Sequence, residues 1–365
     1  MIDLEAFRSE PAARALVSRI ELLAAEPVSL MEVCGTHTVA ISRFGLRSML
    51  PPHLRLLSGP GCPVCVTPLS EIDHAIAVAR EPGVVVTTFG DMMRVPGSSS
   101  SLEAERAEGA DVRIVYSPLE SLDVAESEPD SEVVFIGVGF ETTSPTIAAS
   151  VVEAKRRGIR NYSVLPFFKT VPNALDMLAA LPGRALDGFI CPGHASVIIG
   201  AGAYEPIARE RNMPCVVVGF EPLDILAGVA MLLDQVKAVR NEGASARVEN
   251  QYARAVTREG NTAAQALLAD VFVECDSEWR EIGVIPSSGL AFSDRYAEFD
   301  ARKRIEVEAP APAGASGCIC GEIMLGLKLP TDCPLFAGRC TPRDPVGPCM
   351  VSTEGSCAAF YKYER

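Results

Sequence analysis

Sulfur dominates the reactive inventory of this 365-residue chain, which carries twelve cysteines and only four histidines. Six of the twelve cysteines fall between residues 318 and 357. Cys318, Cys333, Cys340 and Cys357 follow the spacing C-x14-C-x6-C-x16-C, with Cys320 and Cys349 as additional thiols. A zinc site would more usually present two close CxxC knuckles, and this tail has neither those nor a histidine. A four-thiolate iron–sulfur cluster is the stronger reading, because its ligands need not come in close pairs. Zinc, or a set of reactive thiols, is the alternative. Stable disulfides are rare in reducing compartments, so such a block there reads as metal-binding or redox-active.

The front of the chain holds three more cysteines. In EVCGTHT (32–38), Cys34 precedes His37 by three residues, with a glycine between them that permits a tight turn. A thiol beside a histidine can ionise near neutrality and then bind a soft metal or attack. A buried cysteine next to a hydrogen-bonded histidine is the plainer alternative. In GPGCPVCVTP (59–68), Cys62 and Cys65 form a CxxC pair. The segment lacks the GK[ST] ending of a phosphate loop, which leaves a redox pair or a structural turn. A helix over Leu69–Arg80 is expected to turn its positive N-terminal end toward these thiols. GDMMRVPGS (90–98), GFETT (139–143) and CPGHAS (191–196) add Asp91, Arg94, Glu141, Cys191 and His194. No GxSxG elbow is present to support a serine hydrolase.

The elements that must position these residues are read from apolar runs at 54–58, 84–88, 112–116, 133–137, 162–167, 188–191 and 215–219. They are rich in Val and Ile and do not alternate strictly, as strands buried on both faces should. Their spacing leaves room for crossover helices, so the expected fold is α/β with two Rossmann-like parallel-sheet lobes. The motif loops follow these runs, and open parallel sheets bind ligands beyond the carboxyl ends of their strands. GFE recurs at 139–141 and 219–221, in keeping with two related lobes. The expected division puts lobe one at 31–125, lobe two at 126–245, and a smaller, mostly helical cluster domain at 1–30 with 246–365. Helices are expected at the N-terminus, at 248–258 and at 262–272, and a proline-rich linker at 308–316. A net charge of −14 argues against a nucleic-acid partner. No apolar run approaches the roughly 18 residues of a membrane span, and no signal peptide is evident, so the expected location is cytoplasmic.

With these residues in hand, the chain resembles the HypD family over nearly its whole length. The resemblance is carried by MEVCGTHT (31–38), GPGCPVCVTP (59–68), TFGDMMRVPGS (88–98), GFETTSPT (139–146), CPGHASVIIG (191–200) and the cysteine tail. It implies a role in [NiFe] hydrogenase maturation, as a scaffold that assembles an Fe(CN)2CO unit together with HypC. HypE would supply the cyanide, with HypF upstream, and HypC would carry the unit to the hydrogenase large-subunit precursor. The family pattern implies that Cys34 is the iron thiolate, with His37 beside it, and that Cys62 and Cys65 carry out thiol redox chemistry. It further implies a [4Fe-4S] cluster on Cys318, Cys333, Cys340 and Cys357, with Cys320 and Cys349 as competing ligands, and places Glu354 near the site. On this reading the chain is a scaffold rather than a free-standing enzyme. Two other readings compete: a stand-alone [4Fe-4S]-dependent thiol/disulfide reductase, and a zinc-stabilised nucleotide-binding module.

Overall fold

The computed structural model describes residues 9–182, 186–308 and 317–365. The first eight residues of the expected N-terminal helix, and nearly all of the expected 308–316 linker, lie outside the described residues. A helix over Glu10–Leu23 accounts for the rest of that N-terminal segment.

Two all-parallel sheets form the frame. The first contains β1 (Val28–Glu32), β2 (Leu54–Ser58), β7 (Gly188–Pro192), β8 (Cys215–Val218) and β9 (Val248–Asn250), in the order β2-β1-β7-β8-β9. The second contains β3 (Val84–Thr88), β4 (Asp111–Ile114), β5 (Glu132–Gly139) and β6 (Tyr162–Phe168), in the order β4-β3-β5-β6. β1, β3, β7 and β8 are buried along their whole length; β3, β7 and β8 read as apolar runs for that reason, whereas β1 (VSLME), broken by Ser29 and Glu32, is not among the expected strands. The α/β class and the two parallel-sheet lobes are as expected.

The division between lobes is not. The chain leaves the five-stranded sheet after β2, builds the whole four-stranded sheet, and then returns to pair β7 with β1. A boundary at 125/126 would cut β3 and β4 from their sheet partners β5 and β6. Strand composition reports burial and says nothing of which distant strand is the neighbour. The expected helix at 248–258 is also absent, because Val248–Asn250 instead forms the edge strand on β8, with Cys215 opposite Val248. The Asn250 side chain then donates to the Val256 carbonyl at 2.8 Å and fixes the turn that follows. The helix expected at 262–272 forms over Thr262–Val271. An antiparallel hairpin, β10 (Phe272–Trp279) and β11 (Gly283–Phe292), follows it within a region expected to be helical.

Each sheet has a switch point where the strand order reverses direction. In the first it lies between β1 and β7, and in the second between β3 and β5. The Cys34 and CPGHAS loops leave the carboxyl ends of the first pair, and the GDMMR and GFETT loops those of the second. These are the crevices where open sheets collect ligands. The two ends share one apolar core with the cysteine tail, since Met31 and Val33, Val134 and Ile136, and Ile323 and Met350 belong to the same packed cluster.

The tail's last helix, Ser356–Tyr363, is fastened to the first sheet by Arg47. That guanidinium donates to the Leu56 carbonyl at 3.2 Å and to Ser42 Oγ at 3.1 Å, pairs with Glu364, and lies 4.8 Å from the Phe360 ring centroid. Replacing Arg47 by Met removes these charge-assisted bonds together. The expected loss is about 1.5–3 kcal/mol of local stability. Hydrogen exchange would report it as lost protection over 356–363, with β1 unchanged.

Candidate functional site: a thiol-lined junction of two sheets and the tail

Cys34 lies two residues after β1 and caps the helix Gly35–Arg43. Its backbone N–H donates to Glu32 Oε2 at 3.0 Å, and Thr38 Oγ1 donates to the other Glu32 oxygen at 2.5 Å. Glu32 is fully buried, and burial raises its pKa. The sequence reading passed over Glu32; an acid between the apolar Met31 and Val33, just before Cys34, was its one signal.

The backbone of this loop is met from two sides. The Gly35 N–H donates to the Gly61 carbonyl at 3.0 Å. A Cβ on Gly61 would overlap the Cys34 backbone, and a Cβ on Gly35 would overlap Glu354. Three segments far apart in sequence therefore touch here, and only glycine permits so close an approach. Thr36 Oγ1 donates to Glu354 Oε1 at 2.8 Å, which places Glu354 beside the Cys34 loop.

His37 is fully buried and turned away, with its Nε2 on the Gly219 carbonyl at 2.9 Å. Its ring lies 4.7 Å from that of Phe220, and His194 lies 3.8 Å from the same ring. Burial pushes the His37 pKa down to about 4. Cys34 is 9% exposed, and burial, with Glu354 adding to it, pushes its thiol up to about 12. The expected histidine-supported thiolate is thus corrected: a neutral imidazole cannot stabilise it, and the neighbouring carboxylates oppose it. A metal at Cys34 would have to displace the proton itself.

Cys62 and Cys65 are joined in a disulfide on their own single turn, Pro63–Val66, with the Cys65 N–H directed at Cys62 Sγ. The longer helix begins at Leu69 and does not carry the pair. The turn packs against the short tail helix Pro348–Val351.

In the tail, Cys318, Cys333, Cys340, Cys349 and Cys357 line one small cavity walled by apolar side chains such as Phe336. Cys320 lies outside that lining, with its thiol between those of Cys318 and Cys349. Gly347 leaves room for a sulfur, since a Cβ there would lie 2.7 Å from Cys318 Sγ. The Val346 N–H donates to Cys340 Sγ at 3.3 Å. Among the described residues, no three His, Cys, Asp or Glu side chains close on a point as a single-ion site requires. Thiols spread around an apolar space, one of them already receiving an N–H, fit a polynuclear cluster better than one zinc ion.

The second sheet's loops hold the tail in place. Arg94 Nη2 donates to the carbonyls of Pro342 and Arg343 at 2.9 and 3.0 Å, and Ser352 Oγ donates to Asp91 at 3.3 Å. Glu141, on the other switch-point loop, accepts from the Val171 N–H at 2.7 Å, and burial pushes its pKa up to about 7. Cys191 and Cys215 are buried neighbours within the first sheet, and Cys275 sits on β10; none of the three lines the tail cavity.

The His37 shift has a pH signature. Because the folded protein disfavours the imidazolium, His37 contributes stability above its ordinary value of 6.5, and this is lost as pH falls toward 4. The advantage of wild type over His37→Gln should shrink by about 3 kcal/mol across that window. Urea unfolding at several pH values would measure it.

Comparison with known proteins gives the chain a family. Residues 11–364 match the family model for HypD, described as the hydrogenase formation hypA family. The chain is 47% identical to the hydrogenase maturation factor HypD of Azotobacter vinelandii, over 99% of this chain and 97% of that protein. It is 45% identical to the factor of the same name from Escherichia coli K12, over 96% and 93%. It is 44% identical to that of Cupriavidus necator, over 99% and 97%. The motifs brought together at the junction are those that carried the resemblance in sequence, and the chain belongs to the HypD family.

Proposed function

We propose that this chain is a cytoplasmic hydrogenase maturation factor that holds an iron atom at Cys34 while its cyanide and carbon monoxide ligands are assembled. The observation that carries the reading is the junction itself: Cys34, the Cys62–Cys65 turn and Glu354 meet at a sheet switch point, against the cysteine tail. The partners are a HypC-type protein sharing the iron, HypE as cyanide donor with HypF upstream, and the hydrogenase large-subunit precursor as recipient.

Each group then has a task. Cys34 supplies a soft thiolate once iron displaces its proton. Glu354, bonded to Thr36 and raised in pKa by burial, is the acid–base group placed to take that proton. Cys62 and Cys65 store two electrons as a dithiol. Cys318, Cys333, Cys340 and Cys357 hold a [4Fe-4S] cluster, whose chemistry is one-electron transfer. His37 packs and positions the Cys34 helix. Burial of Cys62 and Cys65, which are 5% and 1% exposed, counts against a free-standing reductase that must reach an external disulfide.

Anaerobic purification with the HypC-type partner tests this. The expected preparation is brown, with about four iron and four sulfide per chain from the tail. It should also show cyanide and carbon monoxide infrared bands that vanish in Cys34→Ala. Reductase activity surviving Cys34→Ala, with no such bands in wild type, would replace the scaffold by the reductase; a colourless, zinc-loaded protein would defeat both. Gly347→Ala crowds Cys318 Sγ and should lower tail iron and sulfide while the infrared bands of cargo already bound at Cys34 keep their frequencies. Iron and sulfide analysis beside infrared would separate the two centres.

A further inference from the structure

The turn of the β10–β11 hairpin carries a buried charge that no part of the proposed function uses. Arg280 is 6% exposed, and its Nη2 is buried without a hydrogen-bond partner. Its backbone N–H donates to the Val66 carbonyl at 2.8 Å, and its Nε donates to the Thr67 carbonyl at 2.7 Å. The guanidinium is thereby fixed to the end of the turn that holds Cys62 and Cys65. Glu281, next in sequence, accepts the Gly321 N–H of the tail at 2.8 Å, and no carboxylate among the described residues forms an ion pair with Arg280. The hairpin tip is wedged between the CxxC turn and the cysteine tail.

An unpaired guanidinium is costly to bury, and buried charges are ordinarily matched. Val66 and Thr67, whose carbonyls hold Arg280, directly follow Cys65, and the disulfide that Cys65 makes with Cys62 gains negative charge on reduction. The disulfide turn also packs against the tail helix Pro348–Val351, so the guanidinium, bonded to the end of that turn, is enclosed between the turn and the tail.

We infer that Arg280 is the counter-charge for the thiolate formed when the Cys62–Cys65 disulfide is reduced, and so sets the potential of that pair. The inference rests on the reading of Cys62 and Cys65 as a redox couple. With a dithiol as reductant, the protein S–S bond breaks and the reductant's S–S bond forms. Two electrons pass to the protein, one sulfur keeps a proton, the other becomes a thiolate beside Arg280, and one proton is released. Without the cation the thiolate is destabilised and the disulfide is favoured.

The test equilibrates the anaerobically purified full-length protein with dithiothreitol redox buffers and counts alkylated Cys62 and Cys65 by peptide mass spectrometry. Arg280→Met should shift the equilibrium about tenfold toward the disulfide, equal to about 30 mV for a two-electron couple. Arg280→Lys, which keeps the charge, should restore most of that shift. Equal potentials in wild type and a folded Arg280→Met would overturn the inference alone, whereas a pair that no buffer reduces would overturn the redox reading as well. Should Arg280→Met not fold, the wild-type protein decides. At about pH 7, well below the ordinary thiol pKa of about 8.5, reduction should take up one proton per two electrons. Uptake of two would mean that no thiolate forms and would reject the proposal.

Discussion

Everything distinctive in this molecule depends on a backbone-to-backbone approach. The loop after β1 and the Gly59–Gly61 segment touch backbone to backbone, and Glu354 packs its Cβ and carbonyl into the space that Gly35 leaves. One hydrogen bond, from Gly35 to Gly61, and two missing Cβ atoms make it feasible. With the backbones in contact, Cys34, the CxxC turn and Glu354 sit in one small volume. Any larger residue at 35 or 61 would part the segments and scatter the groups.

Burial then decides what those groups are. The switch-point crevices are closed by the tail, so their ionisable groups face little water. Neutral forms are favoured: Cys34 stays a thiol, His37 an uncharged imidazole, and Glu141 titrates near neutrality instead of in the acid range. A site of this kind does not attack by itself. Any cation bound at Cys34 must first displace its proton. Arg280 is the exception, a permanent cation inside the same closed region, and its position at the hairpin tip ties the disulfide turn to the tail.

The tail is small and sulfur-rich, and it is held by the rest of the chain rather than by a core of its own. Arg94 and Asp91 hold it from one sheet, Arg47 from the other, and Glu281 from the hairpin. Those attachments make the cysteine cavity and the Cys34 loop parts of one structure instead of two linked modules.

By itself, the sequence determined the family, the α/β class and most of the parallel strands. Val- and Ile-rich runs marked strands buried on both faces, because such burial leaves a local compositional trace. The cysteine spacing, the CxxC pair and the order of the motifs identified the family, because reactive residue types are legible one at a time. Tertiary structure alone decided which strands are neighbours, so the lobes interleave where a sequential division was expected, and Val248–Asn250 is an edge strand where a helix was expected. It alone turned His37 away from Cys34 and kept Cys34 protonated, since desolvation depends on what packs overhead. Arg280 was invisible for the same reason. An arginine after a tryptophan carries no local signal, and its meaning comes from a hairpin placed under a turn more than two hundred residues away.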